Sequence, residues 1–390
     1  MPTLVVLGYR EDLDRAIRRR GLDAHYLVQT PAIPPEDRRF TRVADFENAQ
    51  EILRAVLAAG AGDAVGALSV HEMGVFGAAY LRRQLGLPGN TDSLRTLYFR
   101  DKYLQKHALP PHVRRARCRY VPEGTPYGRL ADELGEPFVV KPATGAGSLR
   151  TAVVRSAEEY ARALEALPAG SDVGVVAESF VDAPEVYVDG IWRNGGLAWW
   201  SVSRNHIAPL SAVRGGVLAA HVLDRRRHPR LFERAGTLVA EALKSLEAPD
   251  CVFHLETFVE ESGLTFGECA LRLPGALSPR VNELTYGVDL FDAEISLALG
   301  EEPALPPPPA GGDPERFHGY LLLRRAPGAG LTRQDFARRF AFDELSYDGS
   351  PDAPVGPYGR VGQAIVSDPD ESALQKRMEE IARFNERGGD

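Results

Sequence analysis

The chain has 390 residues and a formal charge of −8, with 46 basic side chains against 54 acidic ones. This length exceeds what one hydrophobic core sustains, so two or three domains are expected. The acidic total argues against a general nucleic-acid binder, which needs a clustered positive surface to displace phosphate counterions. No run approaches the roughly 20 apolar residues of a membrane span, and Leu4 to Leu7 is too short for a signal sequence, so a cytoplasmic protein is expected. Cys118, Cys251 and Cys269 are odd in number and never spaced C-x-x-C, which favours neither a disulfide framework nor a zinc site.

Residues 3–85 alternate short apolar strands with amphipathic helices: Thr3 to Gly8, Asp12 to Arg20, His25 to Val28, Phe46 to Ala59, Ala64 to Val70 and Glu72 to Leu85. This βαβ patterning predicts a small parallel sheet. The turn Gly8-Tyr9-Arg10 lacks the G-x-G-x-x-G spacing of a dinucleotide site. Asn90-Thr91-Asp92 opens a helix to about His107, and Pro110-Pro111 ends it. From Arg114 to Val181 the order strand, helix, strand, glycine loop, strand, helix, strand describes a compact α+β unit. Glu185 to Val202 reads as paired strands about Asn194-Gly195-Gly196. The basic run Arg225 to Arg230 reads as a solvated loop rather than an anion site, and a helix from Arg230 to Leu246 follows it. Strands Cys251 to Glu260 and Leu264 to Leu271 turn at Glu261-Ser262-Gly263. Pro306 to Pro309 with Gly311-Gly312 reads as a linker, and 314–390 as a subdomain closed by a helix from Glu371 to Arg387. The expected units are therefore 1–110 (N-terminal α/β), 111–182 (small α+β lid), 183–305 (larger α+β) and 306–390 (linker and C-terminal subdomain).

Phe138 to Ser148 joins a β-branched run to Lys141 and then to the small-residue loop Gly145-Ala146-Gly147-Ser148. The chain has only five lysines against 41 arginines, so a lysine here suggests that a point charge is wanted. Strand, lysine and loop together read as a phosphate cradle, in which backbone N–H groups approach an anion. The plainer alternative is a hairpin with a surface lysine. Lys102, taken alone, is a solvent lysine on a helix end. Glu178 and Glu185 flank a strand-to-link turn. Glu256 and Glu268 lie on adjacent strands, where paired carboxylates repel unless a cation joins them, and hard oxygen ligands suit Mg²⁺ or Mn²⁺. Outward-facing strand charges are the other reading. Arg272 shares a strand face with Glu268, and its planar guanidinium suits phosphoryl and carboxylate groups.

In this order the residues resemble the ATP-grasp superfamily of carboxylate–amine ligases, the group containing D-alanyl-D-alanine ligase and biotin carboxylase. The resemblance covers residues 95–300 by motif and the whole chain by organisation. It implies an ATP-grasp fold, mixing α/β and α+β units, with ATP held between two of them beneath a glycine-loop lid. Carried over by motif, Lys102 and Lys141 would contact the phosphates, and Gly145, Ala146, Gly147 and Ser148 would cover them. Glu178, with backbone groups of Ser179, Phe180 and Val181, would meet the adenine edge, and Glu185 the ribose. Glu256 and Glu268 would hold Mg²⁺ or Mn²⁺. Arg272 and Lys141 would balance charge on the transferred phosphoryl group, and Arg272 and Arg204 would face the substrate. Many members carry Asn two residues after the metal glutamate, where this chain has Ala270; a second ion would then use water, another acid or Asn282.

The reaction so implied phosphorylates a carboxylate to an acyl phosphate, which an amine attacks with release of phosphate. The expected partners are a small carboxylic acid and an amine, with dipeptide synthesis the first expectation, Trp199-Trp200 and the Gly215-Gly216 loop near the substrate, and no nucleic acid or membrane. Dimers are common in the family it resembles. Two other readings stay open: an ATP-dependent carboxylase acting on bicarbonate, and a nucleotide-binding sensor that has lost its chemistry, which Ala270 favours.

Overall fold

A computed structural model describes the chain except residues 30–33, 168–173, 214–215, 307–313, 326–329, 350–359 and 389–390. The first strands, β1 (Thr3–Leu7), β2 (Asp23–Val28), β3 (Arg39–Arg42) and β4 (Gly66–Ser69), form a parallel sheet in the order β3-β2-β1-β4. Leu4 and Val6 join one core while Val5 and Leu7 join another, so β1 is covered on both faces as a parallel strand requires. Strand β3 was not anticipated, because Arg-Phe-Thr-Arg carries almost no apolar signal.

The lid is a second sheet. Strands β5 (Cys118–Tyr120), β6 (Phe138–Pro142), β7 (Ala152–Val154) and β8 (Val175–Ser179) are antiparallel in the order β5-β8-β6-β7. Phe138, Val140 and Ala177 pack against the helices Tyr127–Leu134 and Ala157–Glu165. Period-two alternation therefore sends Lys141 and Glu178 to the opposite face.

The third sheet holds eight antiparallel strands: β9 (Glu185–Arg193), β10 (Gly196–Asn205), β11 (Leu218–Val222), β12 (Cys251–Glu260), β13 (Gly263–Ala270), β14 (Phe317–Arg324), β15 (Glu344–Tyr347) and β16 (Arg360–Asp368). Their order is β13-β12-β9-β10-β11-β14-β16-β15. The β9–β10 hairpin turns where expected, with Asn194 and Gly195 both at positive φ. Helices Pro229–Ser245 and Glu371–Glu386 cover one face, and Ser278–Tyr286 lies on the other. Because β14 to β16 extend this sheet, the expected division at 305/306 falls within one layer. Of the expected linker, Pro307 to Gly312 lie outside the described residues.

Three local features aim the cleft. The helix expected over 90–107 breaks, because the Asp101 carboxylate accepts from the N–H groups of Tyr103 and Leu104 and restarts a helix at Lys102–Ala108. The open edge of β13 is then closed by that helix. Gln105 exchanges both hydrogen bonds with the Cys269 backbone at 2.7 and 2.9 Å, and the Lys106 ammonium donates to the Gly267 carbonyl at 2.6 Å. Finally, β13 carries a bulge. Thr257 faces Phe266 but Glu256 faces Glu268, leaving Gly267 unpaired, where a Cβ would lie 2.8 Å from the Glu256 carbonyl oxygen. Among the described residues no helix is long and apolar enough to cross a membrane.

The centre of the large sheet tolerates no added bulk at Gly190, where a Cβ would meet the Phe253 ring at 2.5 Å and the Trp199 carbonyl at 2.7 Å. Gly190→Ala should destabilise the protein by about 1–3 kcal/mol, read as a lower denaturant midpoint with an unchanged slope; an unaltered midpoint would contradict this packing.

Candidate active site

Where the lid faces the large sheet, three lysines surround the buried Glu178 and the partly exposed Glu268. Glu178 lies 2.8 Å from the Lys106 ammonium through one oxygen and 3.0 Å from the Lys141 ammonium through the other. Glu268 lies 3.4 Å from Lys102 and 4.0 Å from Lys141. Burial alone would raise the Glu268 carboxyl, but Lys102, Lys141 and Lys106 outweigh it and hold it at about 2. Burial opposes the charge of Lys141 as well, yet Glu178 and Glu268 keep it firmly protonated. Glu178 is lowered in the same way, against its burial, by Lys106 and Lys141.

Lys102 is buried at the start of its helix, not solvated. Its ammonium donates to the Gly145 carbonyl at 2.5 Å, and its backbone N–H donates to Ala143 at 2.9 Å. One lysine thus ties the glycine loop to the strand carrying Glu268. The loop turns through left-handed positions at Gly147, Ser148 and Arg150, a backbone path that favours glycine and forms anion-binding concavities. Lys106 was not singled out in the sequence, although it is one of five lysines and follows Lys102 by one helical turn. Its pairing with Glu178 changes the part expected of that acid. Both Glu178 oxygens face ammonium groups, so this carboxylate holds the lysines together. Ser179, Phe180 and Val181, with Lys106, Ala116 and Cys118, line a groove of about 1170 Å³.

On the large sheet, Glu256 and Glu268 are direct cross-strand partners on the face that meets the lid. Glu185 and Tyr187 on β9 share that face, as does Asp189, which pairs with His254 on β12. His254 sits 2.6 Å from Asp189 and 3.5 Å from Glu256. Burial disfavours its charged ring, but these two acids push it up to about 10, so His254 is a cation that orients Glu256. Glu185 accepts from the Asn205 amide at 2.8 Å. Burial first, and then the charge of Glu256, push its carboxyl up to about 8. This corner therefore resists a further negative charge.

No group of three or more His, Cys, Asp and Glu side chains forms a metal cluster among the described residues. The cross-strand carboxylates of Glu256 and Glu268, beside an acid raised by its burial and then by the charge of Glu256, nonetheless fit a hard divalent cation whose remaining ligands would come from substrate and water. Asn282 is not available to it. It is fully buried, accepts from Ser201 at 2.7 Å and donates to Asp189 at 3.3 Å.

Arg272 is held by the N-terminal domain, where the buried Glu72 carboxylate accepts from its Nε and Nη2 at 3.2 and 3.1 Å. The other Glu72 oxygen accepts from Arg100 at 3.0 Å, and Arg100 also donates to the Thr144 carbonyl at 2.6 Å. Neither Glu72 nor Arg100 stood out in the sequence, since each is an ordinary charge until the fold closes around it. Arg204 is a correction. Ser203 pairs with Tyr187, so alternation places Arg204 on the reverse face of the sheet, away from Glu256 and Glu268. The two tryptophans are also packed: Trp199 meets Tyr286 on one face and Trp200 meets Phe232 on the other. Of the expected Gly215-Gly216 loop, Gly215 lies outside the described residues.

Replacing Lys106 by Met should leave Glu178 with one ammonium in a buried setting and cost about 3 kcal/mol of stability. Equilibrium unfolding measures this, and a loss no larger than that of a surface substitution would contradict the pairing.

No family model matches the chain. An L-arginine-specific L-amino acid ligase from Bacillus subtilis is 24% identical over 282 residues, covering 69% of this chain and 66%, just under two thirds, of that relative. An L-amino acid ligase from Bacillus licheniformis superposes with a TM-score of 0.75 at 18% identity, over 98% of this chain and 97% of the other. A carboxyaminoimidazole ribonucleotide synthase from Aspergillus clavatus, solved with ATP, gives 0.75 at 17% identity over 99% of both chains. The parallel sheet, lid and large antiparallel sheet are thus shared with these solved structures, and the chain has the ATP-grasp fold.

Proposed function

We propose that the protein is an ATP-dependent carboxylate–amine ligase that forms an amide bond through an acyl phosphate and releases ADP and phosphate. The observation that carries this reading is the meeting of Lys102, Lys141 and Glu268 beside the glycine loop, with Glu256 directly across the strand pair from Glu268. Lys102 and Lys141 offer point charges to phosphate oxygens, and the loop N–H groups add fixed dipoles. Glu256 and Glu268 would hold Mg²⁺ or Mn²⁺, which when bound neutralises charge on the β- and γ-phosphates. Arg272 has a planar fork for the carboxylate that receives the phosphoryl group. The lid keeps water from an acyl phosphate that it would hydrolyse.

The similarity to L-amino acid ligases favours an amino acid as one substrate. Incubation with Mg²⁺, ATP, hydroxylamine and an amino-acid mixture should yield a hydroxamate together with ADP. Tight ATP binding without ADP would point instead to a sensor, and ADP that appears only with bicarbonate would point to a carboxylase. Glu268→Gln should lower ADP formation by about 10²-fold or more while retaining the fold; full turnover by this variant would remove the metal assignment.

A further inference from the structure

Residues 100 to 102 grip the entry of the glycine loop at three successive carbonyls. The Lys102 backbone N–H donates to Ala143 at 2.9 Å, the Arg100 Nη2 to Thr144 at 2.6 Å, and the Lys102 ammonium to Gly145 at 2.5 Å. Because each peptide unit is planar, holding these oxygens fixes three consecutive planes, and with them the direction in which the chain leaves β6. The turns beyond are held less closely. The N–H groups of Gly145, Leu149 and Thr151 reach the carbonyls of Pro142, Ala146 and Ser148 at 3.3 Å each, and Gly147, Leu149 and Arg150 are exposed. Lys102 is anchored beside Glu268 of the large sheet, whereas Arg100 is anchored in the N-terminal domain. Arg100 is only 4% exposed; its Nη1 donates to the buried Glu72 carboxylate at 3.0 Å, and its Nη2 also donates to Glu47 at 2.9 Å. Glu72 opens the helical turn Glu72–Gly74 after β4, and Glu47 precedes the helix Ala49–Ala58. A planar fork with two donor nitrogens joins acid and carbonyl in one rigid contact, which a single ammonium cannot reproduce.

We propose that Arg100 is a positioning residue for nucleotide binding: by joining Glu72 to the Thr144 carbonyl it seats the glycine loop from the N-terminal domain, and so sets how tightly the loop holds the phosphates of ATP. The inference rests on the ATP-binding part of the reading above, and concerns a residue that acts through the loop rather than on ATP itself. Backbone dipoles stabilise an anion best when they are aimed before it arrives, and a loop released at its entry must be ordered again on binding, which weakens affinity. Loss of the guanidinium would also leave the Thr144 carbonyl without this donor and Glu72 with Arg272 as its remaining guanidinium.

Two readouts on the full chain test this. Amide hydrogen exchange in the nucleotide-free protein reads the seat itself: in Arg100→Met the amides of Gly145, Leu149 and Thr151 should exchange about tenfold faster, while those of β6 and β8 keep their rates. Calorimetric titration with ATP, and separately with adenosine, reads the consequence. Arg100→Met should weaken ATP binding about tenfold or more and adenosine binding less than about twofold, because adenosine has no phosphates for the loop to hold. Arg100→Lys should fall between, keeping the charge without the fork; if Arg100→Met does not fold, Arg100→Lys is judged by the same criteria. The proposal is overturned if both variants exchange and bind ATP like the wild type, if the loop loosens with no change in ATP affinity, or if ATP and adenosine weaken together, which would make Arg100 a general support of the fold. A wild-type protein that binds no ATP overturns the nucleotide reading and this inference with it, a result seen before any variant is made.

Discussion

The lid stays against the large sheet because Glu178 and Glu268 cannot leave the interior without stranding Lys102, Lys106 and Lys141. Each carboxylate belongs to a different sheet, and Lys141 touches both. At distances of 3 to 4 Å in a medium of low polarity, such contacts are far stronger than the same charges in water. Removing one member leaves its partner uncompensated, so the five groups act as a unit. A polyanion entering this cleft finds two ammonium groups, Lys102 and Lys141, already aimed and already desolvated. Lys106 stays behind with Glu178 and keeps that acid from repelling the newcomer.

A second chain of contacts joins the regions that a ligase would have to coordinate. Arg100 binds the loop carbonyl of Thr144 and the carboxylate of Glu72, and Glu72 in turn grips Arg272. The glycine loop, the N-terminal domain and Arg272 are thus joined through Arg100 and Glu72. This arrangement depends on the helix break at Asp101, because a continuous helix would turn Arg100 and Lys102 to other directions.

The parts of this site that could be read in the sequence are those whose spacing fixes their direction. Lys141 and its loop follow a strand whose alternate residues are apolar, and Glu256 and Glu268 sit on strands joined by a recognisable turn. The two-residue period also marks Glu185, Tyr187 and Asp189 as one face of β9. What escaped is tertiary. Glu72 and Arg100 acquire meaning only from each other and from Arg272, across some two hundred residues of chain. Arg204 was assigned to the substrate by its neighbourhood in the sequence, whereas its place in the alternation sends it to the other side of the sheet.

The bulge at Gly267 shows how finely that alternation is used. Leu264 and Phe266 point into the core beneath the helix Pro229–Ser245, and an unbroken β13 would send residue 268 after them. One unpaired glycine inverts the parity, so Glu268 emerges into the cleft while Cys269 takes the core position. Transplanting this acid into another scaffold therefore means transplanting an irregularity with it: a copy of the strand that had been tidied into perfect pleating would carry the same letters and bury the carboxylate in oil.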